Sequence, residues 1–145
     1  MGEAVAEERV SVTGIPQSAI DSMWHMVVDH LHKGLEYSNG EIAVEDIYDG
    51  LKSRDMQLWA GISDSGECVA CMVSEIINYP RMKVCRMIVV GGSHMKLWLD
   101  YQHTFMEWAR ENDCDRVEAY CRDGMMRRLE PYGYEKLYNL CGVNL

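Results

Sequence analysis

The apolar positions change period twice along the chain. From Ile20 onward they fall at Ile20, Met23, Trp24, Val27, Leu31 and Leu35, the spacing of one helical face, with Ser18 as the cap ahead of it and Ser38-Asn39-Gly40 as its end. A weak alternation over Glu8–Thr13 precedes it and predicts a first strand closed by Gly14-Ile15-Pro16. A shorter helix follows, with Val44, Ile47, Tyr48 and Leu51 on one side and Glu45 and Asp46 in its first turn, where carboxylates suit the helix dipole.

After Asp55 the period becomes that of strands. Gln57–Ser63, Glu67–Asn78 and Met82–Val90 read as three strands joined by turns at Asp64-Ser65-Gly66 and Tyr79-Pro80-Arg81, an antiparallel meander. Val84–Val90 is almost wholly apolar, as a strand covered on both faces should be. Gly91-Gly92-Ser93 breaks it, and helical spacing returns to about Asn112 through Leu97, Tyr101, Thr104, Phe105 and Trp108. Arg116–Cys121 is a further strand, Gly124–Glu130 a short helix and Tyr134–Val143 a last strand. The order β-α-α-β-β-β-α-β-α-β predicts one α+β domain over residues 1–145, with residues 1–7 as a tail. In it Met82–Cys121 is a crossover between parallel neighbours.

Charge narrows the partners. The chain has 145 residues and a net charge of −9, which argues against nucleic acid held by bulk positive charge. No window is long and apolar enough for a membrane span, and the first ten residues lack the form of a signal peptide, so the expected location is the cytoplasm. The charge is uneven: residues 1–50 hold ten acids and two bases, whereas the remainder is nearly balanced. The simpler reading is a solvated helical face; the functional one is an acidic wall toward a cationic acceptor.

Six cysteines without a secretion signal read as reduced thiols, and Cys68-x-x-Cys71, on a strand, should point its two thiols to opposite faces. His25, Asp29, His32 and Glu36 share a helical face, but one helix cannot surround an ion, and no metal is expected. Eleven methionines supply core volume that a single phenylalanine, Phe105, leaves to be filled.

A strand running through glycines into a helix is where an α/β sheet offers backbone N–H groups to an anion. Here that stretch is Val90-Gly91-Gly92-Ser93-His94-Met95-Lys96, which serves equally as a plain turn into the helix.

Met87-Ile-Val-Val-Gly-Gly leading to Phe105-Met-Glu-Trp-Ala-Arg-Glu-Asn, then Arg116-Val-Glu-Ala-Tyr-Cys and Leu129-Glu-Pro-Tyr-Gly-Tyr-Glu, resembles the GNAT superfamily of acyl-CoA-dependent N-acyltransferases over most of the chain. The resemblance implies a mixed central sheet with helices on both faces and an acetyl-CoA or other acyl-CoA cofactor. It implies cofactor contacts from Val90, Gly91, Gly92, Ser93, Lys96 and Arg122, with Arg127 and Arg128 nearby. Glu75, which interrupts a strand filled by Val73, Ile76 and Ile77, becomes the candidate catalytic base, and Tyr132 the candidate acid. The acceptor would be an amine-bearing small molecule or protein, flanked by the acidic helices.

Two departures weigh against catalysis. The family's second glycine set is replaced by Lys96 and Trp98, and its frequent general-acid tyrosine, four residues before the glycine-aromatic pair Gly133-Tyr134, is Leu129. The gap between Met87–Val90 and Val117–Cys121 is accordingly expected to be narrow or partly blocked. The chain is also similar to small divergent members encoded by tailed phages, which frames the rival reading: a non-catalytic, host-interacting or virion-associated protein using the fold as a binding scaffold. A homodimer through the last strand is a third reading the sequence leaves open.

Overall fold

The computed structural model describes residues 9–145. Glu8, where the first strand was expected to begin, and the tail over residues 1–7 lie outside the described residues.

A five-stranded sheet runs in the order β1 (Val10–Ile15), β2 (Met56–Ser63), β3 (Cys68–Asn78), β4 (Lys83–Gly92), β5 (Arg116–Ala119). The first three pairings are antiparallel and β4–β5 is parallel. Helices α1 (Ile20–Leu35) and α2 (Val44–Ser53) cover one face; α3 (Met95–Asp100) and α4 (Gln102–Glu111) cover the other. α5 (Asp123–Leu129) follows β5. This is the mixed α+β architecture the residue pattern predicts.

The first helical stripe packs as its spacing requires. Ile20, Val27 and Leu31 are buried against Leu58, Ala60, Cys71 and Val73 of the sheet, with Val44, Ile47 and Leu51 of α2 beside them. Burial of each such side chain stabilises the fold by about 1.5–3 kcal/mol. Ser18 is not the cap of α1: it lies in a 3-10 turn, Gln17–Ala19, and Ala19 precedes the helix without a side-chain bond. α2 is capped by Asp46, whose carboxylate accepts the N–H of Ala43 at 2.9 Å.

Two β-bulges redirect side chains. Gly61 faces Ala70 and Ile62 faces Cys68, so Val69 is an extra residue on β3. The bulge brings Cys68 and Cys71 into the same buried cluster, not onto opposite faces as strict alternation implies. Burial raises both thiol pKa values, Cys71 to about 12, so these are inert core residues. The second bulge puts Ile88 out of register on β4, between Val73↔Val89 and Ser74↔Met87.

Three expectations are corrected. The helix expected to run to about Asn112 is interrupted at Tyr101, although the N–H of Tyr101 still reaches the Leu97 carbonyl at 3.1 Å. Its buried face is Trp98, Gln102, Phe105 and Ala109, while Thr104 is exposed. Tyr134–Val143 forms no strand; residues 135–145 are irregular and exposed. The seven described acids of the N-terminal half (Asp21, Asp29, Glu36, Glu41, Glu45, Asp46, Asp49) are exposed, and none lines the concavity described below. They form a solvated surface.

Candidate active site

The residues singled out from sequence fall in three places. Val90 to Lys96 lie at the carboxyl end of β4. Pairing between β4 and β5 stops at Met87↔Ala119, but β4 continues to Gly92. β5 ends there, which leaves a fork in the pairing where Ile88–Gly92 of β4 have no strand neighbour on that edge. At the inner end of this fork sits Tyr134, packed with the cluster that contains Cys85 and Met87. Its hydroxyl donates to Gln102 Oε1 at 2.6 Å, and the amide of Gln102 donates to the Trp98 carbonyl at 3.1 Å. Burial raises the Tyr134 pKa, so this hydroxyl is a fixed structural donor.

The glycines at the fork answer first to packing. A Cβ on Gly91 would meet the His30 carbonyl oxygen of α1 at 1.9 Å, and one on Gly34 would meet the Val90 oxygen at 2.7 Å, so helix and strand approach through paired glycines. Gly92 has φ +91°, and a Cβ there would meet the Val69 oxygen at 2.5 Å. The Ser93 N–H is donated to the Val69 carbonyl at 3.2 Å, and its hydroxyl lies 2.6 Å from His94 Nδ1. His94, φ +71°, precedes α3 without a side-chain cap, and its carbonyl accepts the Leu97 N–H at 2.9 Å. Lys96 is exposed there and makes no hydrogen bond or ion pair among the described residues.

Arg122 reaches the same opening from the other side. Its guanidinium stacks 4.2 Å from the ring of Tyr37, just past the end of α1. Sequence reasoning missed Tyr37 and also His30, whose Nε2 lies 2.9 Å from the Cys68 carbonyl. Only a helix that ends beside the glycines brings them there, and the stripe of α1 does not reveal which strand it crosses.

Glu75 lies elsewhere. It faces Met56 and Arg86 across the ladders and lines a concavity of about 380 Å³ with Arg54, Asp55, Gln57 and Trp108. No residue of β4 or β5 lines this hollow. The carboxylate is half-buried and makes no hydrogen bond or ion pair among the described residues. Arg86 turns away from it: Glu118, 8% exposed, accepts from Arg86 at 3.0 Å and from Arg116 at 2.6 Å, and Arg86 also donates to Tyr79 at 2.6 Å. Tyr132, half-buried, rests its ring 5.8 Å from that of His103. Leu129, at the family's tyrosine position, is 4% exposed. Glu75 and Tyr132 thus do not share a cavity with each other or with the glycine turn. Among the described residues no group of three or more His, Cys, Asp or Glu could hold a metal ion, and no helix is long and apolar enough to cross a membrane.

No family model matches the sequence, and no curated protein does. Solved structures do. A predicted acetyltransferase from Clostridium acetobutylicum, solved with acetyl-CoA, superposes with a TM-score of 0.69 at 9% identity, covering 94% of this chain and 96% of that one. The chain has the GNAT acetyltransferase fold. An aminoglycoside N-acetyltransferase solved with CoA matches at 0.67 and 7% identity, covering 99% of each chain. An aminoglycoside acetyltransferase from an uncultured soil sample, solved with sisomicin, matches at 0.67 and 8% identity over 94% of this chain and 97% of that one. Identities this low carry the fold and leave the chemistry to the residues. Pairing of β4 with β5 stops short of the end of β4, while the glycine turn beside it is given over to α1 and β3.

Proposed function

We propose that this protein binds acetyl-CoA or another acyl-CoA in the fork between β4 and β5 and serves as an N-acyltransferase toward an amine acceptor. The observation that carries the reading is the end of β4–β5 pairing at Met87↔Ala119, beside the Ile88 bulge, with β4 running on to Gly92. The chemistry of the opening fits such a cofactor in part. The free edge of β4 around Val90 offers backbone groups to an extended pantetheine arm, and Lys96 and Arg122 offer charge to phosphates. Gly91, Gly92 and Ser93 contribute shape more than donors, because their near neighbours are α1 and β3.

Bound acyl-CoA would supply a thioester-activated acyl group. Glu75 is the candidate acceptor of the amine proton. It stands three residues along β3 from Met72, the partner of Val90, a separation of roughly 10 Å, so it would act through water. Tyr132 would return a proton to the departing thiolate. Amine acceptors, small molecules or proteins, suit a net charge of −9.

A second reading is favoured by the separation of Glu75 from Tyr132 and by a buried leucine at position 129. It is a GNAT-fold scaffold without transfer, serving a phage or host partner, in the cytoplasm or on a virion. Calorimetric titration with acetyl-CoA, followed by thiol-release assays over a panel of amines, separates the two. Micromolar binding with thiol release supports the transferase, binding without release supports the scaffold, and no heat at millimolar acetyl-CoA removes both the cofactor and the reaction.

A further inference from the structure

The hollow of about 380 Å³ beside Glu75 has hydrogen-bond acceptors to spare. The side-chain amide of Gln57 donates to two backbone carbonyls, Ile15 at 3.0 Å and Leu58 at 2.8 Å, which fixes its orientation and leaves Oε1 without a donor among the described residues. Asn112 repeats the arrangement: its amide nitrogen donates to the Trp108 carbonyl at 2.8 Å, and its Oδ1 has no donor among the described residues. The carboxylate of Glu75 has none either. These three residues are half-buried, and among the described residues no buried side-chain N or O lacks a partner, so the three unpaired acceptors reach open space. Trp108 supplies a flat apolar wall. Its ring is held edge-on by Trp59, with centroids 4.9 Å apart, and stacks on Phe105 at 6.1 Å. A second hollow of about 340 Å³ shares Gln57 and Trp108 with the first and continues past Pro16. Arg54 and Asp55, at the rim, are exposed and of opposite sign, so the half-buried charge of the wall is that of Glu75.

We propose that this hollow binds a small primary ammonium compound with an apolar body, as a ligand that is held and not acylated. Acceptors without donors call for a ligand rich in donors, and a primary ammonium brings three N–H groups together with the charge that offsets Glu75. An anion or an apolar neutral molecule would cover the same oxygens and leave them unpaired, at the cost of their desolvation. The body of the ligand would lie on Trp108, whose ring attracts a cation and is already fixed by its neighbours, so little order is lost on binding. Each hollow falls within the roughly 300–1,000 Å³ of small-molecule sites. Glu75 stands roughly 10 Å along β3 from the partner of Val90, and nothing from β4 or β5 lines the hollow, so the ligand sits clear of the fork. Where acyl transfer proceeds, it would compete with the acceptor for Glu75. The inference is independent of acyl-CoA binding.

A nuclear magnetic resonance titration of the native chain at neutral pH tests it, read at the indole N–H of Trp108. The probes are n-hexylammonium, n-hexyltrimethylammonium, which keeps the charge and has no N–H, and 1-hexanol, which is neutral. The native chain should give a saturable shift with n-hexylammonium, about tenfold tighter than with either of the others, and Glu75→Gln should lose about tenfold for n-hexylammonium with 1-hexanol unchanged. No saturation by roughly 10 mM n-hexylammonium, equal affinity for either comparison probe, or full affinity in a folded Glu75→Gln variant overturns the proposal. Should Glu75→Gln fail to fold, the order of the three probes on the native chain decides alone. A chain that binds acetyl-CoA but not n-hexylammonium overturns this proposal and leaves the acyl-CoA reading standing.

Discussion

A methyl group at position 91 would sit 1.9 Å from the His30 carbonyl, backbone against backbone, with no flexible side chain to yield. Gly91→Ala is therefore expected to cost about 3 kcal/mol, measured by urea unfolding, through displacement of α1 from β4. Gly124→Ala meets nothing within 4 Å and lies in α5, so it should gain about 0.5 kcal/mol. The same two-glycine logic explains why Gly91-Gly92 looked like an anion cradle in sequence. A glycine reports close approach, but not whether a ligand or a helix does the approaching. Glu118 gives a residue-level pH signature. Burial alone would raise its pKa, but hydrogen bonds from Arg86 and Arg116 outweigh that and hold it below the usual value. Its contribution to stability is thus present above the unfolded carboxylate range and lost as pH falls through the lower folded value. Unfolding midpoints from pH 7 to pH 3 should fall less steeply for Glu118→Gln than for the native chain; equal slopes would contradict this account.

At the scale of elements, the helices and the meander were legible because each buries one periodic face. Ile20–Leu31 and Val44–Leu51 point at the sheet as their spacing requires. What was not legible is where alternation slips. The bulge at Val69 reverses the facing of Cys68 relative to Cys71, and no residue type announces it. The last strand was legible as a pattern but is unformed, because a strand needs a neighbouring edge as well as alternation. Tyr134, the residue before that tail, should be structural. Tyr134→Phe leaves the buried Gln102 carbonyl oxygen without its donor and should cost about 1–2 kcal/mol in thermal or urea unfolding. The fork makes a further element-level prediction. Acetyl-CoA should slow amide exchange in Ile88–Gly92 and leave β1 and β2 unchanged, since only β4 has an unpaired edge at the opening.

For the whole molecule, a charge of −9 is less directional than its position in sequence suggested. The described acids of the first fifty residues are exposed on α1, α2 and the loop joining them, and none lines the Glu75 hollow. Two basic residues, Lys96 and Arg122, flank the fork instead. That arrangement predicts cofactor binding that weakens with salt, and a Lys96→Ala, Arg122→Ala variant that keeps its stability but loses about tenfold in affinity. The GNAT fold itself was legible from element order and the strand-glycine-helix passage; the degree to which its chemistry survives was not, because Glu75, Tyr132 and the glycine turn come together only if the chain places them so. Titration calorimetry of the native protein with acetyl-CoA at low salt tests the central claim most directly. A saturable isotherm with a micromolar Kd is the predicted result, and an absence of heat at millimolar acetyl-CoA would contradict it.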